Sequence, residues 1–252
     1  GIKYFDKAIQ ADSGVAEYFV SKGYALQTLE ETDKAILSFD NALKIDSELQ
    51  YLFSERFIAK NSICNWSDFE SESNWIKSQL EEGKRISVPL VIFGLLDDAF
   101  AQKKGAKIYS EDLYPPNKIL GAIKKYPKNE KIKIGYFSGD FSEHPVAFLI
   151  AELFEKHDKS KFELFAFSIS VKVRSKIRSR IEKSFDEFID VSDIEDKEIA
   201  NLARKKNIDI AIDLGGFTKN NRPAIFSMRA APIQINFLGW PGTTGSSYID
   251  YN

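Results

Sequence analysis

The sequence predicts an α-helical repeat segment followed by an α/β, Rossmann-like lobe. Three observations predict it. Residues recur at a spacing of 34 near the start, apolar residues then run at helical spacing from Tyr51 to Leu113, and beyond Lys131 short β runs alternate with helical segments. The 252 residues suffice for one or two domains, and 20 Phe and 10 Tyr supply the bulk for a packed core. The expected division is repeats over 1–49, a helical linker region over 50–130 and the α/β lobe over 131–252.

Shifting the first twelve residues by 34 places Phe5 on Phe39, Ala8 on Ala42, Ile9 on Leu43 and Asp12 on Asp46. That is the period of the tetratricopeptide repeat, a helix pair. In the frame Ala16 to Leu49, Gly23 and Ala35 are small where two helices must approach, and Phe39 fills the gap beside Ala42. Ser47 stands where the repeat usually has Pro. One helix pair cannot bury its apolar face alone, so the segment is expected to close a longer array. Such arrays bind extended peptides along a concave face; the last repeats of one can equally serve only to cap it and dock the next domain. Gly1 stands where Met would begin a chain, and both ends read as cut.

Phe53, Phe57, Ile58, Trp66, Phe69, Trp75, Ile76 and Leu80 then recur at helical spacing, and Trp66 and Trp75 are read as core. Pro89 and Pro115-Pro116 interrupt the pattern, and a polar connection with Pro127 leads to Lys131.

Beyond it, β runs are expected at 132–137, 162–167, 188–191, 208–213 and 233–237. Helices are expected at 146–156, 174–184, 195–206 and 222–228. Strands alternating with helices give a parallel, doubly wound sheet, whose ligands bind beyond the carboxyl ends of the strands. Those ends lead into Ser138-Gly139-Asp140-Phe141-Ser142-Glu143-His144-Pro145, Ser168-Ile169-Ser170, Leu214-Gly215-Gly216-Phe217-Thr218, and Leu238-Gly239-Trp240-Pro241-Gly242-Thr243-Thr244-Gly245. Gly135 and Gly139 do not have the G-x-G-x-x-G spacing of a dinucleotide fingerprint. His144 can accept a proton from a hydroxyl nucleophile, or simply bond to backbone as a loop histidine. Arg222 can hold an anion, or pair at a helix start. His157 reads as surface. The run Lys172, Arg174, Lys176, Arg178, Arg180, Lys183 resembles a phosphate or nucleic-acid patch, but is better read as the solvated face of a helix that buries Val173, Ile177 and Ile181.

Composition narrows the field. With 35 Lys plus Arg against 37 Asp plus Glu, the net charge is −2, so a generally basic nucleic-acid binder is not expected. Cys64 alone cannot form an internal disulfide, and with only His144 and His157 no Cys/His zinc site is expected. The longest uncharged apolar run, Val88 to Leu96, is too short to span a membrane, and no signal peptide is seen. Without one, the sequon Asn65-Trp66-Ser67 is read as chance and the chain is expected to be cytoplasmic.

Several motifs in order resemble the O-linked N-acetylglucosamine transferase and Spindly family. They are Ile134-Gly135-Tyr136-Phe137-Ser138-Gly139-Asp140-Phe141 with His144-Pro145-Val146, Asp213-Leu214-Gly215-Gly216-Phe217-Thr218 with Arg222, and Arg229-Ala230-Ala231-Pro232-Ile233-Gln234 running into Leu238 to Gly245. Cys64-Asn65-Trp66-Ser67 is similar to bacterial members. The resemblance implies the N-terminal half of a GT-B fold, preceded by repeats that present protein or peptide acceptors. It implies transfer of a sugar, N-acetylglucosamine from UDP-GlcNAc above other donors, to Ser or Thr hydroxyls, with the nucleotide sugar as substrate and no metal or cofactor. It places His144 at the sugar and acceptor as the catalytic candidate, Leu238, Gly239 and Pro241 with Gly242 and Thr243 at the donor, and Thr218 and Arg222 at the cleft border. Two departures stand out: Ser170-Val171-Lys172 where many relatives have an acidic pair, and Phe217 where they often have Tyr or His. The family's second lobe, which carries most nucleotide contacts, is not in this sequence, so the chain alone is expected to be inactive. The rival reading is a non-catalytic repeat scaffold that binds partner proteins.

Overall fold

A computed structural model describes residues 1–126, 128–170 and 174–252. Pro127, Val171, Lys172 and Val173, each part of an expectation above, lie outside the described residues. The chain divides into two compact units, Gly1–Tyr109 and Ser110–Asn252. Among the described residues no helix is long and apolar enough to cross a membrane.

The first unit is helical: α1 (Ile2–Ala11), α2 (Ala16–Thr28), α3 (Thr32–Ile45), α4 (Leu52–Ser62), α5 (Phe69–Glu81), α6 (Pro89–Leu95) and α7 (Ala99–Leu113), whose last turn enters the second unit. A short turn folds α3 back on α2. The fully buried Phe39 ring lies over Gly23, flanked by the buried Ala35 and Ala42. A Cβ at position 23 would sit 2.6 Å from Phe39 Cδ1 and 2.9 Å from Cζ. The ring has nowhere to swing, so Gly23→Ala is expected to destabilise this unit in urea unfolding. Overpacking of about 1–3 kcal/mol outweighs the roughly 1 kcal/mol that alanine gains over glycine in a helix; an unchanged or raised midpoint would contradict it.

Phe53, Phe57, Ile76, Leu80 and Ile92 form a second core, with Trp75 against Phe53 at 5.1 Å. Trp66 is not core: it is 52% exposed and meets Phe69 edge-on. The helical period is broken before it, because α4 ends at Ser62 and Cys64 adopts φ 56°. Ile58 and Phe69 are exposed as well.

The second unit holds a five-stranded, all-parallel sheet of β1 (Ile132–Ser138), β2 (Phe162–Ser168), β3 (Glu187–Asp190), β4 (Ile210–Asp213) and β5 (Ile233–Asn236), in the order β3-β2-β1-β4-β5. The helices are α8 (Pro145–Lys156), α9 (Lys176–Glu182), α10 (Asp196–Lys205) and α11 (Ala224–Ser227). Period-two alternation sends Ile134, Tyr136, Leu164 and Ala166 to the face covered by α8 and α9. Phe137, Phe165 and Phe167 go to the face covered by α10 and α11. There Phe137 stacks on Phe167 at 4.3 Å and meets Phe226 edge-on at 5.2 Å.

Three expectations are corrected. Strand β4 starts at Ile210 rather than 208, because the Asp209 carboxylate is taken up outside the ladder by Tyr126 Oη (2.9 Å), Asn129 Nδ2 (2.8 Å) and the Lys133 amide (2.9 Å). His157 is half-buried and shares a 2.8 Å hydrogen bond with Tyr136 Oη; burial pushes its imidazole down from the ordinary value and the Tyr136 phenol up to about 12. Arg178 is not on a solvated face. It is 3% exposed, donates to Glu182 (2.9 Å), the Phe141 carbonyl (3.3 Å) and Ser168 Oγ (3.2 Å), and lies over the Phe188 ring.

Candidate active site

The chain winds outward from β1 to β2 and β3, then crosses back to β4 and β5 on the other side of β1. The strand order therefore reverses between β1 and β4, and the loops leaving their carboxyl ends flank the crevice where such sheets take ligands.

The loop after β4 is organised by Asp213, the last residue of that strand. Its Oδ1 accepts from the amides of Gly215 (2.9 Å) and Gly216 (3.0 Å) and from Asn221 Nδ2 (2.9 Å), while Asn221 Nδ2 also donates to the Gly216 carbonyl (2.6 Å). Burial pushes this carboxyl above the usual carboxylate range, and those donors hold it back. Removing the acceptor strands three donors in a buried turn. Asp213→Ala is expected to cost about 3 kcal/mol of stability in urea unfolding, and Asp213→Asn, which keeps one acceptor oxygen, clearly less. Equal losses would mean that the hydrogen bonds to Oδ1 do not hold the loop.

The loop after β5 is keyed into the one after β4. Gly216 has φ 58°, and a Cβ there would come within 2.5 Å of Trp240 Cβ. A Cβ on Gly239 would overlap the Leu214 carbonyl oxygen. Leu238, just before it, is left-handed at φ 74°. On the other side of β4, a Cβ on Gly139 would lie 2.9 Å from the Asn220 carbonyl oxygen, so the loops after β1 and β4 are in contact too.

His144 caps α8. Its Nδ1 accepts from the Val146 amide at 3.3 Å and lies 3.6 Å from the Asp140 carboxylate, with the side chain 42% exposed. Burial raises the Asp140 carboxyl, and the neighbouring imidazole pulls it down. A neutral ring satisfies the Val146 amide; a ring protonated on Nδ1 faces Asp140. The imidazole and the carboxylate lie side by side at the rim of an open hollow. That hollow, about 590 Å³, is lined by Gly139, Asp140, Ser142, His144, Ser170 and Asn220, with Ile169 and Ser192. Ser170 Oγ donates to the Gly139 carbonyl and closes one side.

The other expected site residues are placed unequally. Thr218 sits in the β4 loop with its amide donating to the Gly215 carbonyl (3.1 Å) and a buried Oγ1 that has no hydrogen-bond partner among the described residues. Leu238, Gly239, Pro241, Gly242 and Thr243 lie on the loop after β5, which abuts the β4 loop but does not line the hollow. Within it Trp240 Nε1 donates to the Thr243 carbonyl at 3.3 Å. Arg222 is paired within the lobe. Its Nε binds Asp196, and its terminal nitrogens donate to the carbonyls of Val191 (3.3 Å) and Ile194 (2.6 Å), which fixes the start of α10. Asp140, Ser142 and Ser170 were legible only as members of loops after strands; Ser192 and Asn220 had no local signal. Among the described residues no group of three or more His, Cys, Asp and Glu side chains is placed to hold a metal ion.

A doubly wound lobe with glycine-rich loops at its switch point, and a hollow beside them lined by His144, Asp140 and serine hydroxyls, defines a class of ligand-binding α/β lobe. Residues 112–252 match Glycosyl transferase family 41, and the chain belongs to that family. It is similar to the probable UDP-N-acetylglucosamine–peptide N-acetylglucosaminyltransferase SEC of Arabidopsis thaliana, 38% identical over 51% of this chain and 13% of the relative. It is likewise similar to the UDP-N-acetylglucosamine–peptide N-acetylglucosaminyltransferase of Caenorhabditis elegans, 36% identical over 48% of this chain and 11% of the relative. Among solved structures, a lysine-to-methionine mutant of the Thermobaculum terrenum O-GlcNAc transferase shares the fold, with a TM-score of 0.60 and 22% identity over 99% of this chain and 42% of that one. The chain thus spans less than half the length of the proteins it matches.

Proposed function

We propose that residues 131–252 form the N-terminal lobe of a GT-B protein O-glycosyltransferase, that residues 1–49 are tetratricopeptide repeats, and that residues 50–130 connect them. The reaction is transfer of N-acetylglucosamine from UDP-N-acetylglucosamine to Ser or Thr hydroxyls of proteins, in the cytoplasm, with no metal or cofactor. The observation that carries this reading is the contact of the loops after β1, β4 and β5 along one carboxyl edge, inside the region matched to family 41. The names of the relatives supply the donor and the peptide acceptor. The seating of Phe39 between Gly23, Ala35 and Ala42 supports the repeat assignment, and the repeats would present the acceptor.

In this assignment His144 meets the acceptor hydroxyl or the sugar. Leu238, Gly239, Pro241, Gly242 and Thr243 border the donor, and the unpartnered Thr218 hydroxyl is available to it. Arg222 borders the cleft, its guanidinium held by Asp196. One edge of one lobe leaves the reacting atoms open to water on the far side, where preorganised donors for the leaving diphosphate are required. The 252-residue chain by itself is therefore expected not to turn over. The test is incubation of the full-length protein, and separately of this chain, with UDP-N-acetylglucosamine and Ser/Thr-containing peptides, read by mass spectrometry. The expected result is addition of one N-acetylhexosamine by the full-length protein only. No addition by the full-length protein with any nucleotide sugar would favour the scaffold reading, and turnover by this chain would overturn the half-site assignment.

A further inference from the structure

On the α8–α9 side of the sheet lies a second, larger hollow of about 850 Å³ that shares no lining residue with the one beside His144. The members of the basic run from Arg174 to Lys183 are sorted around it. Arg178 is withdrawn into the core, as described above. Arg180 is neutralised by a two-pronged pair with Glu155 (2.7 Å each), and Lys159 by Asp186 (3.0 Å). Arg174, Lys176 and Lys183 also line the hollow, are exposed, and have no ion pair among the described residues. Glu155 is the one carboxylate in the wall, already matched to Arg180. Ser175 Oγ accepts from the Arg178 amide at 3.1 Å, which leaves its hydroxyl proton free to donate.

Three unmatched cations around a concavity repel one another, and a compact multivalent anion between them removes that repulsion. A guanidinium offers parallel N–H donors to two oxygens of one group, and ammonium groups add point charge. Carboxylates spread along a peptide would place single charges apart; a phosphate group concentrates about two on one centre. We infer that this hollow binds a phosphate group through Arg174, Lys176 and Lys183. The phosphate comes either from a free phosphate compound or from a phosphorylated protein segment. The inference is independent of the transferase reading, since its readout is binding.

The test is calorimetric titration of the 252-residue chain with inorganic pyrophosphate and, in a second arm, with a phosphoserine peptide and its unphosphorylated glutamate counterpart. The expected result is saturable binding of at least one phosphate ligand that weakens with added salt. It should fall at least tenfold in the combined variant Arg174→Gln, Lys176→Gln, Lys183→Gln. All three side chains are exposed, so the variant should keep the fold by circular dichroism. An equal loss of charge elsewhere, Lys118→Gln, Lys124→Gln, Lys125→Gln, should leave binding within twofold. Tighter binding of pyrophosphate than of the phosphopeptide identifies a free phosphate source, and the reverse order a phosphorylated segment. The inference is overturned by no saturable binding in either arm, by equal binding of the glutamate peptide, or by equal weakening in the two triple variants.

Discussion

Gly239→Ala is expected to destabilise the α/β unit by about 3 kcal/mol or more, while Gly94→Ala in α6 leaves stability nearly unchanged or slightly raised. The two positions differ in what a methyl group meets. At 94 nothing lies within 4 Å; at 239 the new Cβ would overlap a backbone carbonyl oxygen, that of Leu214. A clash with a side chain can be relieved by a change of rotamer. Here the obstacle is main chain, and it is pinned, because the Leu214 amide donates to the Phe137 carbonyl at 3.0 Å in the middle of the sheet. The incoming segment is no freer, since Leu238 already holds a left-handed φ of 74° and the Gly239 amide donates to the Phe237 carbonyl at 3.0 Å. The loop after β5 must therefore lift away from the loop after β4, and the carboxyl edge opens. Urea unfolding followed by tryptophan fluorescence reads the result, because Trp240 is buried in that contact against Phe217. An unfolding midpoint equal to that of the parent would mean that the two loops are not in contact as described.

Much of this was legible in the sequence, for identifiable reasons. Strand and helix are local periodicities, so the strand at 132–137 and the helix from Val146 to Lys156 could be read directly; that His144 caps this helix was not read from the sequence. The glycines of the edge loops were legible as a gathering at the carboxyl edge, but not that Gly139, Gly216 and Gly239 each lie against a neighbouring loop. What failed to show were properties set by distant partners. Nothing in the spacing of Arg178 reveals that Phe141 and Ser168 supply acceptors for a buried guanidinium. His157 sits among charged neighbours in sequence, yet a phenol from β1 reaches it. Trp66 lies between α4 and α5, where the chain turns at the left-handed Cys64, a break that helical spacing does not report. In the site, Ser192 and Asn220 join His144 because β3 and β4 lie on opposite sides of β1 in the same sheet, a fact of strand order rather than of motif. The pairing of Arg222 with Asp196 is likewise set by a residue 26 positions away, which no local spacing reports.

His144 carries the proposed chemistry, and its replacement in the full-length protein has the largest expected effect on rate. A positioned general base contributes about 10²–10⁴-fold; a ring that only orients the sugar contributes less. The side chain has a structural duty as well, since Nδ1 accepts the Val146 amide at the start of α8. Loss of such a cap costs about 1 kcal/mol of stability, so alanine alone confounds the two roles. Asparagine separates them, because its side-chain oxygen caps a helix as well as the imidazole does but cannot take the proton. The measurement is the turnover number of the full-length protein with UDP-N-acetylglucosamine and an acceptor peptide for His144→Ala and His144→Asn, beside their urea midpoints. Turnover at least tenfold lower in both, with the asparagine variant as stable as the parent, is the result that the carboxyl-edge site predicts. Near-normal turnover in a stable asparagine variant would contradict it.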